Sequence, residues 1–568
     1  MAPKVLLLGW DAADWKVIGP LMDAGRMPNL ERLARGGVVG NLSTLYPVLS
    51  PMLWTSIATG KRGHKHGIHG FSEPDPVSGG VRPITNLGRS TKAIWNILQQ
   101  NGYKSNVVGW WPSHPVEPIS GVMVSNHYQQ MVAAVDKPWP LRPGTVHPPQ
   151  LQEHLADLRI HPADLEPEML LPFIPRAAEI DQHKDQRLAS VAKILAETAT
   201  IHAAGTALIQ LEPCDFMAVY FDGIDHFCHG FMKYHPPRLE WVPEEDFELY
   251  KEVVNAGYQF HDMMLGTYLQ LIDDSTTVII VSDHGFHPDH LRPREIPNEP
   301  AGPADEHRQF GIVAMMGPQL RRDEHIHGAS LLDITPTILS LFDLPIGEDM
   351  DGKPLIGAFQ NPPQLQWLPS WDALEGDAGL HPAGMQCDPV DQHAAMQQLV
   401  ELGYIDQPDE DIQKAAANTL RELRYNLARD LLDAQHIGDA IPLFQQLWDD
   451  DPDEGRFGVH LFQAQLALRH GKQAEATLER LVREKQRCSA EALSALKELT
   501  DSLEQQGRKL EDLSDAEKQK LHKLRKRAGT NRHTFAYLRG RLLAAQGRHA
   551  DALASFEEAR EVQMHNRP

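Results

Sequence analysis

Across roughly its first 360 residues the chain alternates short apolar runs with longer amphipathic stretches, and this alternation restricts the fold more than any other feature. Lys4–Gly9, Ser105–Gly109, Phe216–Phe221, Thr277–Ser282 and Ile312–Met316 are rich in Val, Ile and Leu and read as buried strands. Between them, Ser90–Gln100 and Phe247–Ile272 carry helical patterns. Strands buried on both faces and separated by helices predict an α/β fold: a mostly parallel central sheet flanked by helices.

At 568 residues the chain is too long for one hydrophobic core. The spacing predicts a catalytic-type α/β domain over residues 1–360, a connector over 361–410 rich in Pro and Gly, and an all-helical domain over 411–568. Within the first domain, residues 111–180 break into Pro-, His- and aromatic-rich sequence such as Trp110-Trp111-Pro112 and Pro138-Trp139-Pro140. This insertion reads either as a cap over the functional edge of the sheet or as surface decoration. In the third segment, Gly471 with Ala476 and Gly547 with Ala552 share a five-residue spacing. Ala440 through Phe444, followed by Pro452, stands at a related offset. The pattern resembles tetratricopeptide helix–turn–helix repeats, in which small residues let paired helices pack closely, and such repeats imply a protein partner. The charged stretch Lys497–Arg527 interrupts the period, and a generic helical bundle is the alternative.

Bulk properties narrow the classes of ligand. A formal net charge of -23 argues against broad binding to nucleic acid or to anionic membranes, but not against a small phosphorylated substrate held by metal ions. No apolar run approaches the ~18 residues that span a bilayer. Met1-Ala2-Pro3-Lys4 leads straight into Val5–Leu8 without a secretory leader pattern. Four cysteines, Cys214, Cys228, Cys387 and Cys488, lie far apart and form no CxxC pair. A reducing, cytoplasmic setting is therefore expected.

The chemistry-bearing residues gather where the strands end. Asp11 follows Lys4–Trp10, Asp225 comes just after Phe216–Phe221, and Asp283 follows Thr277–Ser282. In an open α/β sheet, ligands collect outside the carboxyl ends of strands. Three carboxylates there would repel one another unless cations lay between them. Asp225 and His229 are four apart and share one face of a helical turn. Asp283 and His284 are adjacent, and Gly285 after them permits the sharp turn that would aim both at one ion. Ser50 precedes Pro51 at what reads as a helix start. There the hydroxyl is placed to act as an N-cap and also as a nucleophile beside free backbone donors, two roles that do not exclude each other.

Gly9-Trp10-Asp11, Ser50 ahead of Thr59-Gly60, His66-Gly67-Ile68, Asp225-x3-His229, Ser282-Asp283-His284-Gly285-Phe286 and His307 ahead of Gly317-Pro318 occur in one order. Together they resemble the alkaline phosphatase superfamily and, within it, the type I phosphodiesterase/nucleotide pyrophosphatase family, over residues 4–355. The resemblance implies one metal held by Asp225, His229 and His307, and a second held by Asp11, Asp283 and His284 with Ser50 as the nucleophile bound to it. Two divalent ions, zinc before manganese, would clamp the phosphoryl oxygens of a small phosphate ester, and the reaction would pass through a phosphoseryl intermediate. The chain departs from the family in using Ser50 where Thr is common. It also carries His69-Gly70-Phe71 where nucleotide-cleaving members commonly have a phosphate-contacting Asn.

Phosphodiester hydrolysis is the leading expectation, with a phosphomonoesterase or phosphonate hydrolase as alternatives. An inactive hydrolase-like scaffold presenting the repeats is the reading from another class. A sulfatase is disfavoured because Ser50-Pro51-Met52-Leu53-Trp54 lacks the C/S-x-P-x-R pattern. His64, His66 and His69 are expected to be structural or solvated, Asp14 and Asp222 ordinary loop carboxylates, His325 and His327 surface residues, and Cys228 a small buried apolar group.

Overall fold

The computed structural model describes residues 4–130, 137–297, 300–386, 393–401, 403–505 and 513–562. Cys387, one of the four cysteines, lies outside them. Two compact units are present, Met1–Leu423 and Arg424–Pro568.

The first unit is built on a nine-stranded sheet. Its strands are β1 (Val5–Trp10), β2 (Val38–Ser43), β3 (Ser105–Val108), β4 (Gly121–Val124), β5 (Val146–His147), β6 (Phe216–Phe221), β7 (Thr277–Val281), β8 (Phe310–Met316) and β9 (Glu324–Ser330). Their spatial order is β9-β2-β8-β7-β1-β6-β3-β4-β5. Pairing is parallel for β1 with β6 and β7, for β3 with β4 and β6, and for β2 with β9. It is antiparallel where β8 meets β2 and β7, and where β5 meets β4. The mostly parallel sheet expected from the strand–helix alternation is therefore present.

Alternate residues of β1 enter opposite cores, as the pleat requires. Leu6, Leu8 and Trp10 pack under α1 (Trp15–Asp23), α2 (Pro28–Gly36), α5 (Arg187–Leu211), α6 (Gly223–Phe231) and α7 (Val253–Leu271). Val5 and Leu7 pack under α3 (Ser50–Thr59), α4 (Ile94–Gln100) and α8 (Ile334–Leu341). Every residue of β1, β3, β6 and β7 is buried, which is why β1, β6 and β7 read as near-continuous apolar runs, while β3 begins with the buried polar pair Ser105 and Asn106.

Two expectations change. The insertion at 111–180 is not wholly outside the sheet, because β4 and β5 lengthen the sheet beyond β3. Residues 361–410, read as a connector, lie within the first unit, where α9 (His393–Glu401) and the turn after it pack.

The second unit is helical. It contains the end of α10 (Ile412–Asp433) from Arg424 on, then α11 (Ile437–Asp450), α12 (Gly455–Ala467), the 35-residue α13 (Gly471–Gln505), α14 (Asp515–Ala528), α15 (Arg532–Ala545) and α16 (His549–Val562). Its core centres on Tyr425, Phe444, Trp448, Phe457 and Leu461. Of the small residues expected to permit close packing, Ala440 and Ala552 are buried, while Gly471, Gly547 and Ala476 are not closely packed. A Cβ on Gly471 or Gly547 would meet nothing within 4 Å, and Ala476 is exposed whereas Ala474 is buried.

Candidate active site

Sheet register brings the three carboxylates together. Trp10 lies beside Phe221 and Gly9 beside Val281, so β1, β6 and β7 end level with one another. Asp11 leaves β1 with its N–H still donating to Phe221 O (3.0 Å). The next residue, Ala12, takes a left-handed φ of 62° that turns the chain sharply away. Asp225 sits in the first turn of α6 and His229 in its last, one helical turn apart. Asp283 and His284 follow β7 and enter a short strand, Gly285–Phe286, which pairs antiparallel with His307–Arg308. That ribbon carries His307 back beside His284.

Asp14 fastens the ribbon. Its carboxylate accepts from Lys16 N (2.8 Å), Phe286 N (3.2 Å) and the Arg308 guanidinium. A Cβ on Gly285 would stand 2.3 Å from Asp14 Oδ2 and 2.4 Å from Phe310 O, so only glycine lets the carboxylate approach. The glycine's value is therefore clearance, since its φ is not among the positive ones. Asp14 is thus no ordinary loop carboxylate: it is buried and holds the His284–His307 pairing.

The convergence is tight and dry. His284 Nε2 stands 3.3 Å from Asp11 Oδ1 and 3.5 Å from Asp283 Oδ2. Asp225 Oδ1 stands 3.3 Å from His229 Nε2 and 3.7 Å from His307 Nε2. The two Nε2 atoms of His229 and His307 are 3.0 Å apart, and the His284 and His307 rings stack at 3.7 Å. Burial, then the charge of Asp225, pushes the Asp11 carboxyl up; burial, then Asp11, pushes Asp283 well above the carboxylate range. Burial acts the same way on Asp225, but the His229 imidazolium outweighs it and holds that carboxyl well below its ordinary value. Burial would depress His229, yet Asp225 and Glu306 push it up to about 10. Burial, with His284 and His229 nearby, keeps His307 well below its usual value, so this imidazole is neutral.

Several neighbours were not predicted. Trp54 Nε1 (3.0 Å) and the Tyr220 hydroxyl (2.7 Å) both donate to Asp11 Oδ2. Trp54 reaches it because Gly9 has no side chain; a Cβ there would lie 2.6 Å from the indole. The Tyr404 hydroxyl donates to Asp225 Oδ2 (2.5 Å), its ring stacked on Phe71 at 4.4 Å. Glu306 pairs with His229 Nδ1 (2.7 Å). Trp54 and Glu306 carried a signal, four residues after Ser50 and directly before His307; Tyr220 and Tyr404 carried none.

Ser50 is the first residue of α3, with Leu49 in the capping position and no side-chain cap. The hydroxyl is buried and has no hydrogen-bond partner, so it does not act as an N-cap. The first turn also offers fewer free donors than expected. Pro51 has none, and the Met52 N–H is committed to Leu49 O (2.9 Å).

Other residues fall where expected. His66 is buried between Ser56 Oγ (3.0 Å) and the Ile68 N–H (3.2 Å). His325 and His327 are exposed, and Cys228 is packed in the core with its thiol pushed up by burial. Beside the carboxylates, a cleft that borders about 500 Å³ of space, open solvent included, lies between residues of the insertion, the end of β6 and α9.

Chemically the site fits divalent cations. Asp11 Oδ1, Asp225 Oδ1, Asp283 Oδ2, His284 Nε2, His307 Nδ1 and Ser50 Oγ are all buried without a hydrogen-bond partner, a cost that folding does not sustain without compensation. Two triads have ligand atoms close enough to share an ion: Asp11, Asp283 and His284, and Asp225, His284 and His307. His284 is common to both, and His229 borders the second through Asp225 and His307.

Sequence comparison matches residues 5–322 to the family described as type I phosphodiesterase/nucleotide pyrophosphatase, and residues 431–499 to a tetratricopeptide repeat. No curated protein matches the chain. Among solved structures it is similar to a 2-O GAG sulfatase at 13% identity and a TM-score of 0.41, covering 64% of this chain and 76% of that one. It is also similar to the phosphonoacetate hydrolase of Sinorhizobium meliloti, at 19% identity and TM-score 0.32 over 51% and 58% of the two chains. Human ectonucleotide pyrophosphatase/phosphodiesterase 5 is similar at 13% identity and TM-score 0.32, over 60% and 95%.

Proposed function

The chain belongs to the type I phosphodiesterase/nucleotide pyrophosphatase family, a family of phosphoester hydrolases, and we propose that it cleaves phosphodiesters through Ser50 with two divalent metal ions. The observation that carries this reading is the set of buried, unpartnered ligand atoms of Asp11, Asp225, Asp283, His284 and His307, in a chain whose Ser50 hydroxyl is likewise buried and unpartnered.

In this reading Asp225, His229 and His307 hold one ion; Asp11, Asp283 and His284 hold the other, next to Ser50. Zinc suits the mixed N/O donors best, with manganese as the alternative. Such ions supply Lewis-acid stabilisation of phosphoryl charge and favour the ionised serine. Ser50 Oγ attacks phosphorus as the bond to the leaving alcohol breaks, and the serine proton ends on that alcohol. Water then cleaves the phosphoseryl ester, returning the Ser50 hydroxyl and a phosphomonoester. Trp54 and Tyr220 fix one Asp11 oxygen and leave the other turned inward. Glu306 fixes the His229 ring through Nδ1, leaving Nε2 toward Asp225.

The helical repeats serve to bind a protein partner. Cys214, Cys228 and Cys488, all free thiols, suit a cytoplasmic setting. Among the described residues no helix is long and apolar enough to cross a membrane.

The test is turnover of bis-p-nitrophenyl phosphate, p-nitrophenyl phosphate, a phenylphosphonate ester and p-nitrophenyl sulfate after chelation and metal add-back. The diester is expected to lead, with turnover lost in chelator and in Ser50→Ala. Unchanged turnover under both treatments would refute the mechanism, and a faster monoester would favour the phosphomonoesterase alternative.

A further inference from the structure

The cavity beside the carboxylates has walls whose chemistry is selective. It is an open cleft that borders about 500 Å³ of space, open solvent included, so a small organic group can lie against its walls. Tyr220 is its link to the reacting centre, since the same residue lines the cavity and donates to Asp11. Four separate parts of the chain converge on it: Pro83, then Trp111 and Gln129–Gln130 from the insertion, Asp222 after β6, and Gln398 from α9.

The lining excludes two kinds of occupant. No lysine or arginine lines the cavity among the described residues, so a second phosphate would face Asp222 with only the imidazoles of His127 and His226 beside it. An alkyl or acyl group would leave amides and a carboxylate dry and unsatisfied. One amide is already in that condition. Gln129 is only 5% exposed and its Oε1 has no hydrogen-bond partner, while its Nε2 stands 3.5 Å from Asp222 Oδ2. A buried acceptor of this kind is satisfied by a ligand hydroxyl. The Asp222 carboxylate is a second acceptor, the amides of Gln130 and Gln398 both donate and accept, and Trp111 offers an apolar face. Acceptors beside amides suit hydroxyl groups, whereas a quaternary ammonium would meet the Trp111 and Tyr220 rings without a closed aromatic cage.

We propose that this cavity binds an uncharged, hydroxyl-rich alcohol esterified to the phosphate under attack, with Gln129 and Asp222 reading its hydroxyls. The assignment rests on the phosphodiesterase reading above. It makes the natural substrate a phosphodiester of a polyol or sugar, and it disfavours a nucleoside diphosphate ester, whose second phosphate would need a cation here.

Calorimetric binding to the zinc-loaded Ser50→Ala protein tests it without turnover, using glyceryl methyl phosphate, propyl methyl phosphate and choline methyl phosphate. The glyceryl ester is expected to bind at least about ten-fold tighter than the propyl ester, the effect of one or two hydrogen bonds. Adding Gln129→Met, which keeps the side chain's size, is expected to erase that preference and leave the propyl ester's affinity unchanged. Equal affinity for glyceryl and propyl esters, or tighter binding of the choline ester, would overturn the assignment. Turnover of bis-p-nitrophenyl phosphate by the unaltered protein separates the two readings. If that diester is cleaved while the three ligands bind alike, only the cavity assignment falls; if it is neither cleaved nor bound, both fall.

Discussion

Ser50 shows how a side chain can matter to chemistry and hardly at all to stability. Its hydroxyl is buried and makes no hydrogen bond, so Ser50→Ala removes a polar group that the fold does not use. Thermal stability is expected to stay within about 0.5 kcal/mol of the parent, because no partner is left unpaired. Diester turnover should nevertheless fall by at least about a thousand-fold, as expected when a nucleophile is lost. Glu306 should behave differently, since it acts through His229. Glu306→Gln is expected to weaken metal binding about 10–100-fold, measured by competition with a chromophoric chelator. His261 lies apart from this chemistry. It is fully buried among Trp10, Phe221 and Phe260, its Nδ1 against Gly257 O, and burial pushes it down to about 4. The unfolded chain takes up this proton near 6.5, so the contribution is complete above 6.5. It is lost as pH falls toward 4, by about 1.4 kcal/mol per pH unit. Melting of the parent and of His261→Phe from pH 7 to pH 5 should show the parent's stability falling more steeply. Parallel pH profiles would mean that His261 is not held neutral.

Among the elements, the turn after α9 has the widest consequence, because it brings a residue 179 positions beyond Asp225 into hydrogen-bond contact with it. Tyr404 packs with Leu49, Met52, Phe71 and Leu399, and burial, then Asp225, holds its phenol well above the ordinary value, so it remains a donor. Tyr404→Phe keeps the ring and the stack on Phe71 while removing the bond to Asp225. It is expected to lower metal affinity or kcat about ten-fold with little change in melting temperature. If the turn only fills space, neither quantity should move. Tyr404 also marks where sequence reading stops. β1, β6 and β7 were legible because they are buried on both faces and so spell near-continuous apolar runs, and β3 was legible through Val107 and Val108 ahead of Gly109. β9 was not, because an edge strand can carry exposed Glu324, His325 and His327. β5 has only two residues, too few for any period to show. Asp11, Asp225 and Asp283 were legible because parallel strands end in register, which turns sequence position into spatial proximity. A lone tyrosine in a Pro- and Gly-rich stretch has no such rule attached to it.

At the scale of the whole molecule, the family match covers residues 5–322 and the repeat match residues 431–499. These fall in separate compact units, each with its own apolar core. All the proposed ligands lie in the first unit, so metal binding should stabilise that unit alone. A ligand that binds only the folded state adds RT ln(1 + [L]/Kd), about 2.7 kcal/mol at a free concentration one hundred times Kd. Without the ion, the buried carboxylates and imidazoles must share protons among themselves, which makes the metal-free unit the weaker one. Differential scanning calorimetry with zinc and then with chelator should therefore show one transition moving down by several degrees and a second holding its position. A limited digest that isolates the helical unit would assign the stationary transition to it. If both transitions moved together, the metal would be holding the two units as one cooperative body. If neither moved, the triads around His284 would not be metal sites.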